Sequence, residues 1–376
     1  MASFDGRYAF IADWYDTNAA LTRKYQLFYY PKDSTVEMFD IKNKRVFLKR
    51  SKCEELRLHD LHIGAVVNIH SRQLTIKDYA DISTSNRLKS KNEKTFAMVK
   101  PDAINEVGTI IDIIYQNGFS ICNMKSAVLS RQEAEEFYEE HVGKPFFNNL
   151  ISFITSGPVL AMELMAENSV TLWRSLLGPT DSRDARTNKP STIRARFGFD
   201  NTKNACHGSD SDRSANREID FFFKANAERR TTARVSNSTL CIIKPHSVKE
   251  GVAGKILKNI QDNGFYLNAL EMFHLEIINA EEFFEVYKGV VHEYNKMVDE
   301  LCSGPCIAIE IFGEGDVHKT FRDFVGPSDP EIAKHLRPHT LRANFGVDKV
   351  RNAVHCTDLP DDAALEVEYF FHILKQ

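Results

Sequence analysis

Residues 95–101 read Thr-Phe-Ala-Met-Val-Lys-Pro. Thr95–Val99 is a short β-favouring run, and Pro101 stops it. The motif around it returns: Phe96-Ala-Met-Val-Lys100-Pro101 reappears as Leu240-Cys-Ile-Ile-Lys244-Pro245, 144 positions on. Asn117-Gly-Phe119 returns as Asn263-Gly-Phe265, and Ser156-Gly-Pro158 as Ser303-Gly-Pro305. Arg194-Ala-Arg-Phe-Gly198 returns as Arg342-Ala-Asn-Phe-Gly346, and Asn204-Ala-Cys-His207 as Asn352-Ala-Val-His355. The offset drifts only from 144 to 148. So long a period is a duplicated domain, not a solenoid. Polar spacings are kept more tightly still. Arg174 and Arg322 each stand 33 residues before a histidine, and Glu218 and Glu366 each stand 11 after it. Gly178 and Gly326 each precede an arginine, Arg194 and Arg342, by 16. Core packing alone does not demand that concordance.

Within a copy, strand and helix signals alternate. Val107–Gln116 has helical spacing and stops at Asn117-Gly118. Residues 119–129 read as a strand, Ser130-Arg-Gln-Glu133 as a capping box opening a helix to about His141, 145–154 as a further helix and 159–164 as a strand. The pattern predicts a ferredoxin-like βαββαβ, an α+β sandwich with helices on one face of an antiparallel sheet. Residues 1–91 differ. Six short β runs (10–14, 25–30, 36–39, 46–48, 66–69 and 74–76) predict a small all-β domain, with helical character only at 53–61. The expected organisation is a multi-domain chain of three segments: 1–91, 94–224 and 238–376. Polar linkers are expected at 83–93 and 225–239.

Composition bounds the function classes. The 376 residues are 43% hydrophobic and 27% charged, an ordinary globular balance. The longest apolar candidate, 158–165, already contains Glu163, so no membrane span is expected. The N-terminus has no basic leader before an apolar run, so no secretory signal is expected. Seven scattered cysteines read as free thiols, and no His or Cys pair nearby completes a zinc site with Cys302 and Cys306. Residues 1–91 carry 16 Lys+Arg against 11 Asp+Glu, a balance of +5, which leaves −9 on the remainder. Lys42, Lys44, Arg45, Lys49, Arg50 and Lys52 concentrate that charge. Such a run is either a docking surface for an acidic partner or a solvated hairpin edge guarded by lysines.

His207 carries the candidate chemistry. Most lone histidines are structural, but its neighbours change the weighing. Gly208 is expected to permit an unusual backbone beside the imidazole. Ser209 and Glu218 are placed to hold one ring nitrogen and leave the other as nucleophile. Lys100, Arg174 and Arg194 supply cations of the kind phosphoryl transfer needs, though each alone reads as a surface charge. Phe146 is a candidate base-stacking ring or a core aromatic. No G-x-x-x-x-G-K-[ST] loop and no protein-kinase H-R-D or D-F-G motif is present.

Asn204-Ala-Cys-His-Gly-Ser-Asp210 resembles the active-site signature of nucleoside diphosphate kinases. So do Lys100-Pro-Asp102, Pro145-Phe-Phe147, Ser156-Gly-Pro158 and Leu177-Gly-Pro-Thr180. The resemblance covers about 70% of the chain, at 94–223 and 238–375. The whole arrangement resembles three-part members of that family, whose N-terminal DM-ten domain also occurs in ciliary proteins. The resemblance implies a ping-pong phosphotransferase. A nucleoside triphosphate would phosphorylate His207 and a nucleoside diphosphate would take the group, with Mg²⁺ arriving on the nucleotide phosphates. It implies phosphate and ribose contacts by Lys100, Tyr138, Arg174, Thr180, Arg194 and Asn204, base stacking by Phe146, and support of His207 by Ser209 and Glu218. The stretch between Thr180 and Arg194 is longer than the family's usual loop, which puts a standard hexamer in doubt and suggests that the two repeats pair within one chain.

The second repeat keeps Lys244, Arg322, Arg342, Asn352, His355 and Glu366. It carries His246 where the first has Asp102, Phe284 near Tyr138, Ser328 for Thr180, Cys356 for Gly208 and Thr357 for Ser209, and it lacks the Pro-Phe-Phe. Weak or absent catalysis is expected there, with a structural or nucleotide-sensing role. The family's company implies tubulin or microtubules and axonemal or centrosomal proteins as partners, and residence in the cytoplasm and cytoskeleton, at a cilium or centrosome. The alternative to an enzyme is a structural microtubule-associated protein with vestigial kinase domains. Nucleic acid is not an expected partner, given the acidic body.

Overall fold

In the computed structural model, residues 6–375 are described apart from 18, 225, 226 and 228, so part of the expected second linker lies outside the described residues. The chain divides into two compact units. One runs to Asn92 and groups with 302–304, and the other holds the rest.

Period-two alternation builds the first unit. Its strands are β1 (Tyr8–Asp16), β2 (Leu21–Tyr30), β3 (Thr35–Asp40), β4 (Arg45–Lys52), β5 (Val66–Ile69) and β6 (Arg72–Tyr79). They form one antiparallel sheet in the order β4-β3-β2-β1-β6-β5. Every β run expected from the sequence lies inside one of these strands. Alternate residues such as Tyr25, Leu27, Val36, Met38, Leu74 and Ile76 are fully buried, so one face of the sheet makes the core. The expected helical character at 53–61 reduces to one 3₁₀ turn, Leu58–Asp60. Conversely, the expected linker at 83–93 contains helix α1 (Ile82–Leu88) and the start of the next strand. Asp81 caps α1 by accepting from the Thr84 N–H. The Thr84 hydroxyl accepts from the Ala9 N–H, and buried Leu88 joins the core, so α1 belongs to the sheet domain.

The first repeat runs β7 (Glu93–Val99), α2 (Val107–Gln116), β8 (Ser120–Ala127), α3 (Arg131–Phe137), α4 (Phe147–Ile154), β9 (Val159–Ala166), α5 (Ser169–Leu177), α6 (Ser182–Asn188), α7 (Ile193–Phe197), β10 (Cys206–Gly208) and α8 (Asp212–Phe223). The second runs β11 (Ser238–Ile243), α9 (Pro245–Lys249), α10 (Ala253–Asp262), β12 (Tyr266–Phe273), α11 (Ile277–Phe283), α12 (Tyr294–Leu301), β13 (Cys306–Phe312), α13 (Val317–Val325), α14 (Pro330–Leu336), α15 (Leu341–Phe345), β14 (Val354–Cys356) and α16 (Ala363–Phe371). In each repeat the strands lie in the order fourth-first-third-second, the ferredoxin-like arrangement, with paired helices between the second and third strands. The Ser130–Glu133 capping box forms as expected, and Gly118, at φ +80°, turns the chain after α2.

Both repeats share one sheet. Its order, β10-β7-β9-β8-β12-β13-β11-β14, reads the same outward from the central β8–β12 pair. At that seam Lys125 lies opposite Glu271, and the Ser126 hydroxyl accepts from the Leu270 N–H at 2.9 Å. Above it α2 packs on α10. A Cβ on Gly108 would lie 2.2 Å from the Lys258 backbone nitrogen, and one on Gly254 2.3 Å from that of Asp112. The Gln261 side chain bridges the helices, accepting from the Gly108 N–H and donating to the Ile104 carbonyl. The repeats thus pair within the chain. Residues 229–237 are no loose tether either. Arg234 and Val235 donate their N–H groups to buried Glu310, and Thr232 meets Ser126 at 2.7 Å. The polar composition that reads as a linker satisfies buried groups instead.

Gly108→Ala or Gly254→Ala forces backbone apart, and each is expected to cost about 1–3 kcal/mol or more. Denaturant midpoints of the full chain at constant m-value check this, and an unchanged midpoint would show that the helices do not need the close approach.

Candidate active site

His207 sits on β10, the outer strand of the shared sheet, opposite Met98 of β7. The chain reaches it through Ala205 at φ +66°, a conformation that non-glycine residues seldom adopt. Asp102 holds that residue, its Oδ2 accepting from the Ala205 N–H at 3.0 Å, while burial pushes its carboxyl up. The unusual backbone expected at Gly208 is therefore at Ala205. Gly208 is needed for space, since a Cβ there would meet Trp173 at 2.5 Å. Trp173 also donates its indole N–H to the His207 carbonyl at 3.3 Å.

The Ser211 N-cap starts α8, which carries Glu218 to the imidazole. His207 Nε2 and Glu218 Oε2 are 3.0 Å apart, and Ser209 donates to the same oxygen at 2.6 Å. Ser209 thus steadies the carboxylate rather than the ring. Burial pushes the Glu218 carboxyl up, and the His207 and Ser209 contacts more than reverse this, leaving it below its ordinary value. With Nε2–H donating to Glu218, Nδ1 keeps its lone pair. Phe137 and Tyr138 stand edge-on to the imidazole, at 5.3 and 5.8 Å between centroids.

The cations surround this histidine at different depths. Lys100 is buried, donating to Asn204 Oδ1 at 2.8 Å and to the Thr202 carbonyl. Burial, assisted by the Arg194 charge, pushes its amine down to about 8. Asn204 donates in turn to the Thr180 carbonyl at 2.9 Å, so Asn204 and Thr180 position Lys100. Arg194 donates to the carbonyls of Gly178 and Cys206, while its buried Nε has no partner. The Tyr138 hydroxyl is also buried without a partner. An unmet hydroxyl on the ring that stands edge-on to the imidazole fits a ligand that carries oxygen. Arg174 is exposed on α5. Phe146 is exposed at the rim and reaches Tyr138 through His141, which stacks on Tyr138 and stands edge-on to Phe146. No cluster of three metal-ligating side chains occurs among the described residues. Nor is any helix long and apolar enough to cross a membrane.

The second repeat reproduces the core. His355 Nε2 lies 3.0 Å from Glu366 Oε2, and Thr357 donates to that oxygen at 2.8 Å. Phe284 stands beside His355 at 5.9 Å, as Tyr138 stands beside His207, which fixes the register. Ala353, at φ +71°, donates its N–H to His246 Nε2 at 3.3 Å, and His246 Nδ1–H donates to Glu300 at 2.7 Å. The Asp-to-His change therefore keeps the strained backbone satisfied by enlisting a second residue. Cys356 replaces Gly208 where Phe321 replaces the larger Trp173, an exchange of volume across α13 and β14. Arg342 donates to Gly326 and Val354, as Arg194 does to Gly178 and Cys206. Asn352 donates to the Ser328 carbonyl, and Lys244, its amine pushed down to about 7 by burial, reaches the Val350 carbonyl. Phe137, His141 and Trp173 stand in the site without a sequence signal, and Asp102, met in the sequence only as part of Lys100-Pro-Asp102, gains a definite role at Ala205.

Together these features place one histidine–glutamate site in each half of a duplicated ferredoxin-like fold. Residues 93–227 and 237–375 match the family model described as nucleoside diphosphate kinase, and the chain belongs to that family. Residues 2–90 match the model described as the nucleoside diphosphate kinase 7 N-terminal PH domain, a description that does not carry the expected DM-ten label. The protein called nucleoside diphosphate kinase homolog 7 in Rattus norvegicus is 55% identical over 370 residues, 98% of this chain and 93% of its own length. Its Mus musculus counterpart matches to the same extent. Among solved structures, the orthorhombic form of the Aquifex aeolicus nucleoside diphosphate kinase is 45% identical. It covers 35% of this chain and 95% of that one, with a TM-score of 0.35.

The depressed lysines are testable. Lys244 is expected to lose its proton as pH rises through about 7 and Lys100 through about 8, both before surface lysines near 10.5. Between those values and 10.5 the native state binds fewer protons than the unfolded chain, so each lysine's contribution to stability rises with pH there. Side-chain ¹³C NMR titration reads both, and titration together with the surface lysines would contradict the burial argument.

Proposed function

We propose that the first repeat is a nucleoside diphosphate kinase. The observation that carries this reading is His207 with Nε2 engaged by Glu218 and Nδ1 left with its lone pair, set among Lys100, Arg174 and Arg194. Nδ1 attacks the γ-phosphorus of a nucleoside triphosphate, a P–N bond forms, and the nucleoside diphosphate leaves with the bridging oxygen. A terminal oxygen of a second diphosphate then attacks the phosphorus and the P–N bond breaks. Glu218 stabilises the positive imidazole as Nδ1 gives up its electrons. Lys100, Arg174, Arg194 and Tyr138 face the phosphoryl oxygens, and Phe146 offers a stacking face at the rim. Mg²⁺ arriving with the nucleotide would screen the phosphate charge beside Lys100, Arg174 and Arg194. No described cluster would hold it instead.

We further infer an association with microtubules in the cytoskeleton, at a cilium axoneme or a centrosome. Lys42, Lys44, Arg45, Lys49, Arg50 and Lys52 are all exposed along β4 and its preceding turn, on the sheet edge. That row offers positive charge to an acidic polymer surface. It also guards an edge strand, and the two roles are compatible.

Purified protein given γ-labelled ATP and Mg²⁺ is expected to carry acid-labile label that chases onto GDP. His207→Ala removes it and His355→Ala does not. Glu218→Gln slows labelling by about 10²-fold. Absence of label in the wild type would reject the kinase reading. Reversing Lys42, Lys44 and Lys49 to Glu is expected to abolish low-salt pelleting with microtubules, and pelleting that persists unchanged would reject this contact surface.

A further inference from the structure

The two histidine sites differ at one carboxylate. Asp210 and Asp358 each stand three residues after a histidine. In the first repeat Asp210 Oδ1 accepts from Ser214 at 2.7 Å and from Ser211 at 3.0 Å. These two hydroxyls, at the start of α8, occupy its acceptor oxygen. In the second repeat the matching positions are Leu359 and Asp362. Leu359 offers no donor and Asp362 offers a like charge. Asp358 bonds across the pocket instead. Its Oδ1 pairs with Arg322 Nη1, and its Oδ2 accepts from the Tyr287 hydroxyl at 2.5 Å. Tyr287 follows Phe284 by three residues, as His141 follows Tyr138, so a phenolic hydroxyl at this position exists only in the second repeat. Burial pushes the Asp358 carboxyl up, but Tyr287 and Arg322 bring it below its ordinary value, so it stays charged.

We propose that the second repeat is a polyphosphate-binding site held shut by its own Asp358. This rests on reading the first repeat as a site for nucleotide phosphates. Arg322 is the counterpart of Arg174, and its guanidinium is occupied by a carboxylate of the same chain. Behind that latch the cations and the histidine relay remain, without the hydroxyl of Tyr138 or the stacking ring of Phe146. Arg342 and the His355–Glu366–Thr357 relay keep their geometry, and Lys244 still reaches the Val350 carbonyl as Lys100 reaches that of Thr202. Buried Asn352 Oδ1 has no partner, whereas Asn204 Oδ1 accepts from Lys100, so Lys244 makes one bond fewer here than its counterpart. A nucleoside triphosphate entering here must displace Asp358 from Arg322 and face its charge. The His355 side chain is 7% exposed against 18% for His207, in keeping with a closed pocket. The Arg322–Asp358 pair is half-exposed, so the latch is a modest barrier that a tight polyanion overcomes at high concentration.

The test is calorimetric titration of the full chain with Mg²⁺ and AMP-PNP, a triphosphate analogue that transfers no group. The wild type is expected to show one site, with a second only at high analogue concentration. Asp358→Asn, isosteric and partly exposed, is expected to tighten the second site about tenfold, the reach of one ion pair and one charge-assisted hydrogen bond. The double substitution Leu359→Ser with Asp362→Ser, which restores the hydroxyls of the first repeat, is expected to act in the same direction while leaving Asp358 in place. One unchanged site in the wild type and in both variants overturns the latch and leaves the reading of the first repeat standing. Two equal sites in the wild type also overturn it. No binding in the wild type, with a site gained in Asp358→Asn, rejects the first-repeat reading and upholds the latch. No binding anywhere rejects both.

Discussion

Helices α2 and α10 touch backbone to backbone, because neither Gly108 nor Gly254 carries a side chain at the crossing. The remaining geometry of the duplicated unit follows from that approach. It brings β8 and β12 into line, so two four-stranded sheets become one of eight. It buries Leu257 and Ile260 against Ile110 and Ile111 in one core that spans both repeats. It also sends β10 and β14, the strands bearing His207 and His355, to opposite outer edges. Each site is then built from one repeat's own residues.

A second constraint is local. Ala205 and Ala353 adopt a left-handed backbone two residues before each histidine. Strain of that kind persists only where surrounding bonds over-determine it. The first repeat supplies one carboxylate for the purpose, and the second supplies an imidazole backed by Glu300. The two solutions differ in residue type and agree in which N–H they satisfy. What looks like decay in the second repeat is in part substitution of equivalent parts.

Much of this was legible in the sequence. Helix α2 and the strands β7 and β9 follow from periodicity and breakers, and the 11-residue spacing already joins each histidine to its glutamate. Helix α1 was not legible, because only Thr84 and Leu88 of its seven residues are buried and no apolar stripe results. Gly208 was legible as a constraint but not as to its kind, since sequence does not distinguish a glycine needed for φ from one needed for Trp173. Asp358 was invisible for a related reason. Its direction depends on Ser211 and Ser214 having become Leu359 and Asp362, and on a hydroxyl at Tyr287 from a distant helix. Such a difference resides in where a side chain points, and no single motif records that.

Covalent joining of the repeats has an evolutionary consequence. In an assembly of two identical chains every substitution appears on both sides of the axis, so neither site can change alone. Here the partners are encoded separately, and their association does not depend on protein concentration. A hydroxyl can be lost at 359 and kept at 211. The seam at Gly108 and Gly254 thus leaves each half free to change its histidine surroundings without changing the other's.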